Sequence, residues 1–252
     1  MFSTDPSKHW RRWGSSDPYY AVLTSDEYRS DRLDEKARAE FFATGEQCIT
    51  EALATIRDHL APGFAPERCL DFGCGVGRLT LALARRANEA VGLDVSPSML
   101  AEAQRNATAA GVTNAVWLES DATLSKVTGT FDLVYSIIVF HHIRPELGMN
   151  LLRRQLELLR PGGVLAVQLL YALHQPAPIK AARWVQAHVP LANMVVNAAK
   201  RRPLATPNME ANVYDLPAVL EMLQDCGIHT TYVELTREQA CSHAMIYARR
   251  PA

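Results

Sequence analysis

The sequence predicts an α/β fold, a doubly wound, seven-stranded and mostly parallel sheet, on three observations. Apolar β-branched runs alternate with helical periodicities over most of the chain, joined by short connections. The stretch Cys69-Leu70-Asp71-Phe72-Gly73-Cys74-Gly75-Val76-Gly77-Arg78-Leu79-Thr80 reads as a buried strand that breaks into alternating glycines and restarts as a helix. Phe131–Ile138 is a continuous apolar run, as a strand covered on both faces requires.

Taken in order, residues 1–33 are polar, weakly periodic and aromatic, with Phe2, Trp10, Trp13, Tyr19, Tyr20 and Tyr28. Such a segment orders only by burying its aromatics on something. It is expected to form an N-terminal cap over a ligand cleft, or else a loose arm on an outer helix. Ile49, Leu53, Ile56 and Leu60 recur on one helical face, with Gly45 dividing the helix and Thr44 capping its second piece. Strands are then expected at Arg68–Gly73, Ala90–Asp94, Val116–Ser120, Phe131–Ile138 and Val164–Leu170. Helices follow at Arg78–Asn88, from Ser96-Pro97 to Ala110, and from Pro145, while Pro161-Gly162-Gly163 reads as a tight turn. A helix opening at Asp215 and a closing hairpin of Thr230–Leu235 with Ser242–Ala248 bring the strands to seven. Four regions result. Residues 1–64 are the arm and cap helices, 65–170 the core, 171–214 a proline-bearing helical insertion that reads as a lid, and 215–252 the closing helix and hairpin.

Bulk properties narrow the function. The chain has 252 residues, 48% of them hydrophobic, and a net charge of −1, which leaves no electrostatic footprint for nucleic acid. Five scattered cysteines (Cys48, Cys69, Cys74, Cys226, Cys241) have neither disulfide-frame nor zinc spacing and suit a reducing compartment. Residues 1–8 lack a signal-peptide core, and the longest apolar run is too short to span a bilayer. A cytoplasmic protein without stable membrane association is expected, as monomer or homodimer.

The glycines fall as G-x-G-x-G, two residues after Asp71, and not as the G-x-G-x-x-G of dinucleotide sites. Asp71, Asp94 and Asp121 stand at or just past the ends of three successive strands, where an open parallel sheet places its ligand crevice. Asp94 lies roughly 20 residues beyond the glycines, the distance at which a carboxylate receives ribose hydroxyls. The helix after the turn is expected to offer main-chain N–H groups to the ligand.

This constellation resembles the first motifs of the class I S-adenosylmethionine (SAM)-dependent methyltransferases. The resemblance covers residues 65–170 closely and implies a Rossmann-like methyltransferase fold whose closing hairpin inserts an antiparallel strand. It implies SAM as cofactor, held by Asp71, Gly73, Cys74, Gly75 and Gly77, by Asp94 and Val95 at the ribose, and by Asp121 and Ala122 at the adenine. Ser136 and Ile137, ending the fourth strand, would line the methionine end. The acceptor would be a small organic molecule, methylated at oxygen or nitrogen and less readily at carbon. His141 or His142 follows that strand and could serve as base or position the acceptor, or could simply shape the loop by bonding backbone. Trp13, Tyr19, Tyr20, Tyr171 and Trp184 are the substrate-side candidates. No metal is expected. The competing readings are a nicotinamide-dependent oxidoreductase, which the glycine spacing opposes, and a SAM-binding module without catalysis.

Overall fold

A computed structural model of the protein describes residues 6–176, 178–179, 185, 189, 192–199, 211–238 and 240–252. Seven strands form one sheet: β1 (Arg68–Phe72), β2 (Glu89–Asp94), β3 (Ala115–Glu119), β4 (Phe131–Ser136), β5 (Leu159–Leu173), β6 (Thr230–Glu238) and β7 (Cys241–Arg249). Their spatial order is β3-β2-β1-β4-β5-β7-β6, and β7 alone runs antiparallel to its neighbours. The helices are α1 (Pro6–Ser16), α2 (Pro18–Val22), α3 (Glu35–His59), α4 (Arg78–Ala84), α5 (Pro97–Ala109), α6 (Pro145–Glu157), α7 (Ala192–Ala199) and α8 (Leu216–Asp225).

The strands are apolar on both faces because helices cover both. Val134, Leu165, Val167 and Leu169 turn to the side where α6 and α8 bring Leu152, Leu156, Val219 and Leu223. Leu133, Tyr135, Val164 and Ala166 turn the other way, onto Ile49, Leu53 and Ile56 of α3 and Leu83 of α4. The two-residue period of a strand thus divides one apolar run between two cores. The strand order reverses between β1 and β4, and the crevice opens at their carboxyl ends.

Two expectations need correction. Gly45 does not divide the helix, since α3 runs unbroken from Glu35 to His59. A Cβ at residue 45 would lie 2.3 Å from the Arg78 carbonyl oxygen, so this glycine serves the close approach of α3 to α4. Pro161-Gly162-Gly163 lies within β5, as a register irregularity between the pairs Phe131–Leu159 and Leu133–Val164. Residues 6–33 bury their aromatics, as the cap reading requires. In α1 and α2, Trp13, Tyr19 and Ala21 join Tyr28, Phe41, Val76 and Met99 in a third buried cluster.

Candidate active site

A cavity of about 680 Å³ occupies the crevice, within the range of small-molecule sites. The glycine turn forms one wall. Gly73, Gly75 and Gly77 have φ of +79°, +52° and +89°, conformations that side-chain-bearing residues rarely adopt. Val139 and Val22 lie where Cβ atoms on Gly73 and Gly75 would sit, at 2.3 and 2.6 Å. The turn's amides are already committed. Gly73 and Cys74 N–H donate to the Leu93 carbonyl at 2.8 Å, Gly77 N–H to the Cys74 carbonyl, and Gly75 N–H to Asp94 Oδ2 at 3.0 Å. The bonds from Gly73, Cys74 and Gly75 tie the end of β1 to the end of β2, and the Gly77 bond closes the turn itself.

The three aspartates meet different fates. Asp94 lines the cavity and accepts from Gly75 N–H and, through Oδ1, from Ser96 N–H at 2.8 Å. Burial pushes its pKa up to about 6, against the Ser96 and Gly75 amides that favour the anion. Asp71 lies beneath the turn, 1% exposed, and accepts from Thr80 Oγ1 at 2.6 Å. Its other oxygen, Oδ1, is buried without a partner, and burial raises this pKa to about 6 as well. Asp121 also lines the cavity, but its carboxylate serves its own turn. Oδ1 accepts from Thr123 N–H at 2.8 Å, Thr123 Oγ1 at 2.9 Å and Ser125 N–H at 3.1 Å, while Oδ2 accepts from Ser125 Oγ. The Ser125 hydroxyl and amide hold this group far below the usual carboxylate range. The same turn keeps buried Leu124 at a φ of +53°.

Of the other expected cofactor residues, Gly73, Cys74, Gly75, Val95, Ala122 and Ile137 line the cavity. Gly77 caps α4, and buried Ser136 donates to the Phe72 carbonyl at 2.9 Å; neither is part of the lining.

The loop after β4 forms the opposite wall. Ile138 sits at a φ of +63°, an outlier for a β-branched residue that persists only where its surroundings enforce it. Gln168 Oε1 accepts its N–H at 3.1 Å, Asn212 donates from N and Nδ2 to the His141 carbonyl at 2.7 and 3.1 Å, and Tyr214 OH donates to the Ile143 carbonyl at 3.0 Å. His142 faces the cavity with its ring 4.5 Å from Trp10. His141 is not part of the lining. Burial, with the His142 and His243 rings beside it, pushes its pKa down to about 3, so it is neutral near pH 7.

The aromatic candidates sit elsewhere. Trp13 and Tyr19 are buried in the third cluster, and Tyr19 OH bonds Glu102 and Asn106 at 2.7 and 2.9 Å. Tyr20 packs under Arg29, and Tyr171 packs on the α6–α8 side of the sheet. Trp184 lies outside the described residues. The arm does reach the crevice, through residues that sequence reasoning did not select: Trp10, Arg11, Ala21 and Val22 line it, and Arg11 pairs with Glu119 at 2.9 Å. Arg78, Arg144 and Leu147 are among the other lining residues that were missed. Among the described residues no three His, Cys, Asp or Glu side chains converge as a metal cage, and no helix is long and apolar enough to cross a membrane.

Comparison with known proteins agrees with this geometry. Residues 69–163 match the methyltransferase domain family. The trans-aconitate 2-methyltransferase of Methylobacterium radiotolerans is 34% identical over 162 residues, 63% of this chain and 59% of that protein. The ribosomal protein L11 methyltransferase of Thermus thermophilus is 34% identical over 123 residues, 48% of this chain and 45% of its own. The chain therefore spans about half the length of these relatives. Magnesium protoporphyrin IX methyltransferase from Synechocystis, crystallised with S-adenosylhomocysteine, superposes with a TM-score of 0.64 at 18% identity, over 98% of this chain and 100% of that one. The chain thus carries a match to a methyltransferase domain over residues 69–163, within a sheet of the Rossmann-like methyltransferase fold.

Proposed function

We propose that the protein transfers the methyl group of SAM to an oxygen or nitrogen of a small organic acceptor. The observation that carries this reading is the ring of unspent acceptors about the glycine turn. Asp94 spends its two oxygens on one N–H each and keeps lone pairs at the cavity, and Asp71 holds a buried oxygen with no partner at all. These features fit a ribose and an ammonium. Asp94 would receive the sugar hydroxyls and Asp71 the amino group, with Val95, Met99 and Ala122 enclosing the base and Ile137 at the methionine end. Bound SAM would supply an electrophilic sulfonium methyl, whose displacement depends chiefly on alignment and proximity.

The chain's own work lies in the rest of the cavity. Trp10, Ile143 and Leu147 give the remaining space an apolar wall beside His142. His142 is the side chain of the histidine pair that reaches it, and serves as the base where the acceptor must lose a proton. The enforced backbone of Ile138 fixes the loop from which His142 projects. Trp184 remains a candidate acceptor contact through the 171–214 insertion. Calorimetric titration with SAM is expected to show one site per chain, and product analysis with isotopically labelled methyl is expected to show its transfer to small molecules of a cell extract. A flat titration of the folded protein overturns the reading.

A further inference from the structure

Of the ten large apolar side chains that stand exposed among the described residues, five crowd into one stretch: Ile179, Val185, Val189, Met194 and Val195, the last 67% exposed. A single exposed apolar residue needs no explanation, but these include a helical face. In α7 the exposed residues Met194, Val195, Ala198 and Ala199 form two pairs spaced four apart, which stacks them along one side of the helix. The helix itself, Ala-Asn-Met-Val-Val-Asn-Ala-Ala, carries no charged residue. A helix that docks on its own domain turns such a stripe inward; this one shows it to solvent. None of these residues lines the cavity, so the stripe is not spent on the site.

The charges that accompany the stripe in sequence are of one sign. No Asp or Glu occurs between Glu157 and Glu210, whereas Lys180, Arg183, Lys200, Arg201 and Arg202 do, in a chain whose 26 basic and 27 acidic residues nearly balance. The run Lys200-Arg201-Arg202 follows directly on α7. Apolar surface flanked by basic residues and free of acid complements a partner that is apolar within and anionic at its rim, which describes a bilayer containing anionic lipid. A second copy of the chain seated there would set like charges against one another. We propose that the face of α7 docks reversibly on anionic bilayers. With eight residues α7 is about 12 Å long, enough to lie in the headgroup layer and far short of a span. Such contact is peripheral and salt-sensitive, distinct from the stable association that the sequence argues against.

The test is co-sedimentation of the full chain with vesicles, either of phosphatidylcholine alone or of phosphatidylcholine with phosphatidylserine. Binding is expected to be about tenfold tighter or more to the second, and to weaken about tenfold between about 0.1 M and about 0.5 M salt. Met194→Glu combined with Val195→Glu, and separately Lys200→Glu combined with Arg201→Glu, are each expected to weaken it about tenfold with thermal unfolding unchanged. No binding, equal binding to both kinds of vesicle, or indifference to both pairs of substitutions overturns the proposal. A dimer in solution that Met194→Glu with Val195→Glu dissolves, without any binding to vesicles, also overturns it, because the stripe then belongs to a second copy. Should that variant fail to fold, the Lys200→Glu and Arg201→Glu protein and the salt series decide by the same criteria.

Discussion

Asp94 and Asp121 close adjacent strands of one sheet, line one cavity and look alike in the sequence, yet their surroundings divide them. Asp94 takes one amide on each oxygen and is left with a raised pKa near 6. Asp121 takes three donors on Oδ1 and a hydroxyl on Oδ2, and is locked in its ionised form by the turn it stabilises. Position at a strand end makes a carboxylate available; the valence left over after local bonding decides what it does.

The largest effect is expected where valence is left over. Asp94→Ala should weaken S-adenosylhomocysteine binding by about 100-fold or more in calorimetry, since charged hydrogen bonds to the ligand and the anchor of Gly75 vanish together. If Asp121→Ala does the same, the distinction between the two residues is broken. Next comes Asp71→Asn, expected to cost about 30-fold in affinity yet to raise the melting temperature at pH 7.5, because it removes a buried charge with an unpaired oxygen.

The pH profile follows from the same pair. Asp71 and Asp94 ionise at about 6 when folded, above their ordinary 3.8, so the folded state holds more protons than the unfolded between these values. Their contribution to stability is therefore fully present below about pH 4, falls as pH rises to 6 and levels off above it. Binding runs the opposite way. Affinity for S-adenosylhomocysteine should rise by about tenfold between pH 5 and 7 and then level off, as the carboxylates become anions. An affinity flat across that interval would show that neither anion meets the ligand. The smallest effect is reserved for Asp121→Ala, expected to cost about 1 kcal/mol in chemical denaturation and only a few-fold in affinity, through the loosened turn at Leu124.

Much of this site was legible because its signals are local. Asp71, the glycines and Asp94 are fixed by spacing along one strand–turn–helix–strand unit, and the burial of β4 by its apolar residues Phe131, Leu133, Val134 and Tyr135. What escaped depends on side chains meeting across the fold. Thr123 and Ser125 capture the Asp121 carboxylate, which no spacing rule announces. Trp10 and Arg11 sit in a polar helix whose order comes from aromatics packed on α5 and on the glycine turn, and so they passed as arm. Gly45 was misread for the opposite reason: a local helix-breaker rule was applied to a residue whose purpose is tertiary.

That residue has one more consequence. Because position 45 carries only a hydrogen, the axis of α3 can lie against the first residue of α4, and Thr44 and Cys48 are brought within reach of the Arg78 guanidinium. A single methyl group added there would wedge the two helices apart and shift the cation with them. The place of Arg78 at the cavity wall is thereby set from behind, by the spacing of two cylinders.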